Sequence, residues 1–361
     1  MTGGGKNISS PVRVMVVDDS SIVRGFLTRF LETDPAIKVT ASVPNGQAAL
    51  QELDEAAPDV VILDLEMPVM DGITALPLLL AANPKLPVIV ASTKTRENAA
   101  LALKCLALGA IDCLGKPNVH DLADPGPFRD DLIQRVKTLG RLRGTPAGGV
   151  PFFSQETPPR VAEPPVISSH APVALAICAS TGGPLALLKV LGGLAPLSVP
   201  VFITQHMPAG FTTLLAENIA QSTGLDCREA ADGEAVEPSR VYVAPGNYHL
   251  TVTGTDGYRR IALTQSLPEH FCRPAADPML RSLAASYGGS LLVAVLTGMG
   301  TDTVAGCRTV VDAGGAVVTQ DAASSVVWGM PGAVVHAGLS AETVSIDNMA
   351  ATLLRRLKVL P

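Results

Sequence analysis

Short β-branched and aliphatic runs alternate with stretches of helical period through residues 11–143. Strands are expected at Val12 to Val17, Lys38 to Ser42, Val60 to Asp64, Val88 to Ala91 and Ala110 to Cys113. Between them, helices are expected at Ser21 to Glu32, Gly46 to Glu55, Ile73 to Ala82 and Asn98 to Leu108, with a last one from Phe128 to Arg141. Runs that are apolar throughout suit a parallel sheet covered on both faces. Residues 144–171 lose all periodicity and are rich in Pro and small polar residues, which reads as a semi-extended linker. Phe152 and Phe153 within it are expected to dock on one of the flanking domains.

The alternation resumes over residues 172–361. Strands are expected at Ala174 to Ala179, Val201 to Gln205, Val241 to Ala244, His249 to Thr253, Ile261 to Leu263, Leu291 to Leu296 and Ala316 to Thr319. Helices are expected at Pro184 to Leu194, Phe211 to Ser222, Pro278 to Tyr287, Thr303 to Ala313 and Met349 to Val359. The close spacing of strand signals from Tyr242 to Leu263 reads as an antiparallel insertion. The chain is thus expected to hold two α/β domains joined by a Pro-rich linker.

Composition narrows the function. At 47% hydrophobic and 17% charged, the 361 residues suffice for two packed cores. A net charge of -6 with no basic patch excludes an electrostatic nucleic-acid binder. The opening MTGGGKNISS lacks the apolar run of a signal peptide, and the apolar stretches are of strand length, so a cytoplasmic protein without membrane insertion is expected. Six cysteines without a C-x-x-C pair read as buried free thiols.

Two sets of reactive residues stand at expected strand ends. Asp18 and Asp19 follow the first strand and Asp64 ends the third. Three carboxylates converging at the carboxyl edge of a parallel sheet repel one another unless a hard divalent cation such as Mg²⁺ joins them. A carboxylate can also accept a phosphoryl group, with Lys116 supplying positive charge and Ser92 a hydroxyl. Pro117 is a candidate cis residue that aims Lys116 inward. The competing reading makes Asp18 and Asp19 helix caps.

In the second half, Ser180 follows an apolar strand and precedes TGGP, a strand-to-helix turn that exposes a nucleophile. His206 ends the next strand and Asp302 follows LTGMGT, so a base and its orienting acid can reach the same edge. Gly298-Met299-Gly300 can turn an amide toward an oxyanion. Capping roles for Ser180 and Asp302, and a satisfied imidazole for His206, remain the competing explanations.

The first half resembles the receiver domain of two-component response regulators, through VVDDS around Asp18 and Asp19, ILDLEMPVMDG around Asp64, and Lys116-Pro117. That resemblance implies a flavodoxin-like (βα)5 domain with Asp64 as phosphoacceptor. It also implies Asp18, Asp19, Asp64 and the Glu66 backbone carbonyl as Mg²⁺ ligands, and Ser92 and Lys116 as switch residues. The usual aromatic switch position falls at Cys113. The second half is similar to the catalytic domain of chemotaxis protein-glutamate methylesterases, the CheB family. The matching stretches are ASTGGP, TQHMPAGFT, VYVAPGNYHL, LTGMGTD and TQDAASSVVWGMPGAV. It implies a doubly wound, mostly parallel α/β hydrolase-type domain with Ser180 as nucleophile, His206 as base and Asp302 as acid. It also implies that Met299 supplies the oxyanion amide and that Thr181 lines the pocket. Departures are Cys178 for a usual Gly, and Thr301 and Thr303 where Ala and Gly are usual.

Together the resemblances imply a response regulator that demethylates glutamate methyl esters on chemoreceptor cytoplasmic helices, deamidates glutamines there, and takes its phosphoryl group from a two-component histidine kinase. No cofactor is expected for ester hydrolysis. In the unphosphorylated state the receiver is expected to obstruct the Ser180 edge. A non-catalytic adaptor and a small-molecule carboxylesterase are the rival readings.

Overall fold

The computed structural model describes residues 10–93, 95–116, 126–142, 171–255 and 257–358. The expectations for Pro117, Phe152, Phe153 and most of the linker lie outside the described residues. Two compact units are present, and the segment Thr93–Ala107 groups with the second of them.

The first unit is built on five parallel strands, β1 (Val12–Val17), β2 (Ile37–Val43), β3 (Val60–Asp64), β4 (Val88–Ser92) and β5 (Asp112–Gly115). Their order is β2-β1-β3-β4-β5. β3 and β4 are buried along their whole length, whereas edge strand β2 alternates between buried and exposed positions. This is the difference between a strand covered on both faces and one at a margin. Ser20, Asn45 and Asp71 accept the first free helix amides from Val23, Ala48 and Thr74, which starts the helices directly after β1, β2 and the β3 loop. β5 begins two residues later than the pattern suggested, at Asp112 rather than Ala110.

The second unit holds a seven-stranded sheet in which every pairing is parallel. Its strands are β6 (Ala174–Ala179), β7 (Val201–Gln205), β8 (Asp226–Glu229), β9 (Arg240–Val243), β12 (Leu291–Val295), β13 (Ala316–Gln320) and β14 (Glu342–Val344). The order is β14-β13-β12-β6-β7-β9-β8. The expected insertion is smaller than the sequence suggested: Tyr242 belongs to β9 in the main sheet. Only β10 (His249–Thr253) and β11 (Arg260–Thr264) pair antiparallel, as a separate ribbon. A core of Phe202, Tyr242, Leu250, Met279, Leu283 and Val293 joins that ribbon and the Ala276–Tyr287 helix to the sheet.

The chain winds outward from β6 through β7 to β9, then returns to place β12 on the other side of β6. A parallel sheet opens a crevice at such a reversal, at the carboxyl ends of its strands. In the first unit the same reversal falls between β1 and β3.

Candidate active site

The reversal in the first unit gathers the acidic residues. Asp18 and Asp64 are buried and Asp19 is exposed, and one carboxylate oxygen from each lies within 4.8 Å of the others. Asp18 Oδ1 accepts the Ser20 amide at 2.8 Å, and Asp64 Oδ1 accepts the Leu65 amide at 2.7 Å. Their other oxygens face the Lys116 ammonium, 2.8 Å from Asp18 and 2.6 Å from Asp64. Burial pushes the Asp64 carboxyl up to about 6, against the pull of Lys116. Burial pulls Lys116 down, but the two aspartates outweigh it and leave the ammonium raised.

Gly72 is required here because a Cβ would stand 2.1 Å from the Asp64 carbonyl oxygen. Three carboxylates faced by a single ammonium leave hard oxygen donors with net negative charge, so the donor set fits Mg²⁺. Ser92 ends β4, buried at the same edge, and Glu66 is exposed two residues past Asp64. Cys113 is buried within β5, and burial pushes its thiol up.

In the second unit, β12, β6 and β7 are consecutive neighbours, and one candidate residue follows each. Ala179 pairs with Gln205, so Ser180 and His206 leave adjacent strands side by side. The His206 amide donates to the Ala179 carbonyl at 3.1 Å. Ser180 is held by its backbone: its amide donates to Thr297 O at 3.1 Å. Its carbonyl accepts the Gly183 amide and the Gln205 side-chain amide, each at 2.8 Å. Gly183 can carry no side chain, because a Cβ there would stand 2.0 Å from Gln205 Oε1. At Gly298 a Cβ would stand 2.8 Å from Ser180 Cβ, so the Gly298–Met299 peptide runs directly against the serine.

His206 Nε2 and Asp302 Oδ2 are 2.7 Å apart and both residues are buried. Asp302 therefore engages Nε2. Burial favours the neutral imidazole, but the Cys272 sulfur and the Asp302 carboxylate together raise His206 well above the usual imidazole range. Burial also opposes the Asp302 charge, yet His206 and two backbone amides hold this carboxyl below its ordinary value. Those amides belong to Ala276, at 2.5 Å, and Asp277, at 2.9 Å. Asp302 thus caps the Ala276–Tyr287 helix while it holds the histidine, whereas the helix that follows it, Val304–Asp312, has Thr303 at its cap position.

Thr181 is buried beside Ser180, and its carbonyl lies 3.0 Å from the Thr297 hydroxyl. Cys178 is wholly buried in β6, with its thiol pushed up by burial. Thr301 is exposed, whereas Thr303 is buried with φ at 117° and a hydroxyl lacking any partner. That backbone conformation suits glycine, which gives the departure at Thr303 a physical cost.

Residues 14–124 match the response regulator receiver domain family, and residues 175–353 match the CheB methylesterase family. A protein-glutamate methylesterase/protein-glutamine glutaminase of Azospirillum brasilense is 48% identical over 94% of this chain and 91% of its own. The chain belongs to that family. A group 2 operon member from Rhodospirillum centenum is 47% identical over 94% of this chain and 93% of its own. The Thermotoga maritima CheB methylesterase catalytic domain superposes with a TM-score of 0.50 at 33% identity, covering 53% of this chain and all of that domain.

Several polar residues that hold the site escaped the sequence reading. Gln205 and Gln320 each end a strand at the sheet edge that bears Ser180, and Gln320 Oε1 accepts the Thr297 amide at 2.7 Å. The Thr297 hydroxyl in turn accepts the Val327 amide at 3.0 Å. The readable signal was a buried polar side chain closing an otherwise apolar strand. For Cys272 and Asp277 no such signal existed, because their turn and helix start show no periodicity of their own.

Proposed function

We propose that the chain is a phosphorylation-activated protein-glutamate methylesterase and protein-glutamine glutaminase acting on chemoreceptor cytoplasmic helices. The observation that carries this reading is Asp302 seated on His206 Nε2 beside the strand-to-helix turn that bears Ser180. Ser180 Oγ attacks the ester carbonyl carbon as His206 Nδ1 takes its proton, and Asp302 stabilises the imidazolium. The Met299 amide faces the developing oxyanion, and Thr181 lines the pocket. Collapse of the tetrahedral intermediate expels the methoxy group, which takes the imidazolium proton and leaves as methanol. His206 then deprotonates a water that attacks the acyl-serine, and collapse releases the glutamate carboxyl group while the departing Ser180 oxygen takes the imidazolium proton. A glutamine side chain follows the same course with ammonia as the leaving group.

Control lies in the first unit. Asp64 is the phosphoacceptor, supplied by a two-component histidine kinase. Asp18, Asp19, Asp64 and the Glu66 carbonyl would hold Mg²⁺, which would supply charge neutralisation during phosphoryl transfer. Ser92 and Lys116 bind the phosphoryl oxygens, and their rearrangement shifts a conformational equilibrium that governs Ser180. With Cys113 at the usual aromatic position, a packing change other than aromatic rotation transmits the shift. Among the described residues no helix is long and apolar enough to cross a membrane.

The test is methanol release from a methylated receptor cytoplasmic domain, with and without a small-molecule phosphodonor. Wild type is expected to release methanol faster with the donor, and Ser180→Ala to release none above background. Full release by Ser180→Ala would overturn the reading in favour of a non-catalytic adaptor copurifying with an esterase. Turnover of small esters alone would favour a carboxylesterase.

A further inference from the structure

Two buried aspartates stand side by side behind the catalytic histidine: Asp302 caps the helix that carries Asp277, and Asp277 caps the helix that starts two residues after Asp302. Asp302 accepts the amides of Ala276 and Asp277, in the first turn of the Ala276–Tyr287 helix. That helix has Ala275 at its cap position, with no side-chain acceptor of its own. Asp277 Oδ1 returns the arrangement, accepting the amides of Thr303 at 3.2 Å and Gly306 at 2.6 Å. These open the Val304–Asp312 helix, whose own cap residue Thr303 makes no side-chain bond. The Thr303 amide belongs to the peptide that follows Asp302, so Asp277 grips the backbone that presents the acid to His206.

The two helices approach closely enough to make this exchange, because Gly306 stands where a Cβ would lie 2.6 Å from Leu280 Cβ and 2.9 Å from Asp277 Oδ1. Two carboxylates at this depth oppose one another, and burial together with Asp302 pushes the Asp277 carboxyl up. His270 answers that cost: its Nε2 lies 3.1 Å from Asp277 Oδ2. It is carried by a tight turn, Glu269 to Cys272, whose central residues His270 and Phe271 both have positive φ. Glu269 is tied to Arg281 on the same helix as Asp277. His270, Asp277 and Asp302 have the composition of a metal site, but four backbone amides and the His206 and His270 imidazoles already occupy the two carboxylates.

We propose that Asp277, steadied by His270, is a positioning residue that holds Asp302 on His206 through reciprocal capping of the two helices. This rests on the hydrolytic reading of Ser180, His206 and Asp302, so its test includes a readout independent of turnover. In the full-length chain, the low-field proton resonance of the His206 Nε2–H is followed by NMR beside kcat and KM for methyl-ester hydrolysis. Asp277→Ala is expected to displace or broaden that resonance and to lower kcat about 10- to 100-fold with KM little changed, the scale of a misplaced catalytic group. Asp277→Asn keeps an oxygen for Thr303 and Gly306 and an amide for His270, and is expected to restore the resonance and to return kcat to within roughly threefold.

Should the alanine variant not fold, Asp277→Glu moves the acceptor by one methylene and is expected to displace the same resonance. An unchanged resonance in either variant would overturn the proposal, as would an Asn variant as impaired as the Ala variant. If instead the resonance responds while Ser180→Ala retains activity, the positioning stands and the hydrolytic reading fails.

Discussion

Replacing Asp302 by Asn changes one atom, and the structure dictates why that single change is costly. Asp302 Oδ2 takes both His206 Nε2, at 2.7 Å, and the Ala276 amide, at 2.5 Å, while Oδ1 takes the Asp277 amide at 2.9 Å. With the Asn oxygen toward His206, its NH₂ faces the Asp277 N–H, donor against donor. With the amide flipped, the NH₂ confronts the Ala276 N–H and demands an acceptor at Nε2. The imidazole proton is then driven onto Nδ1, the nitrogen that must receive the serine proton. Either orientation strands a buried donor, at about 1–3 kcal/mol. For a domain of this size that is a fall in Tm of roughly 3–10 °C. The imidazolium also loses its anionic partner, so kcat should drop roughly 10²- to 10⁴-fold. Methanol release and calorimetry on the same preparation read both effects. An Asp302→Asn protein with kcat within about threefold of wild type and unaltered Tm would refute the reasoning.

Asp64→Asn should abolish stimulation by a phosphodonor while sparing basal methanol release; loss of basal release would mean the receiver is needed for catalysis itself. Thr303→Gly relieves a residue at φ 117° and removes a partnerless buried hydroxyl, at the cost of backbone entropy. Calorimetry should show a net gain of about 1 kcal/mol, and a loss of stability would show the strain argument to be mistaken. The base must be neutral to act, and His206 is raised above the ordinary imidazole value of 6.5. As pH falls, kcat/KM should therefore begin to drop above pH 6.5, with activity recovered as pH rises through the raised value. In Asp302→Asn that limb should move to lower pH; a limb that stays in place would exclude Asp302 as its cause.

The interior strands were legible because burial on both faces writes a continuous apolar run, as in β3, β6 and β12. The edge strands Asp226–Glu229 and Glu342–Val344 were missed because half-exposed DCRE and ETV carry no such run. The Met330–His336 helix was hidden by Pro331 and Gly332. The Pro sits in its first turn, and the Gly lies where a Cβ would meet the Trp328 ring at 2.9 Å. Ser180, His206 and Asp302 could be nominated because each follows a strand. Their support could not, since Asp277, Thr297 and Gln320 act through contacts 25, 30 and 23 residues away in the chain. Local periodicity has no access to such partners.

The central claim, that Ser180 is the nucleophile, is tested most directly by rapid quench of the phosphodonor-treated enzyme with a methylated receptor peptide, followed by mass mapping of the adduct. The account predicts an acyl group on the peptide containing Ser180, of the same mass from a glutamine peptide as from its methyl ester. An adduct on Cys272, or turnover in Ser180→Ala equal to that of wild type, would contradict it.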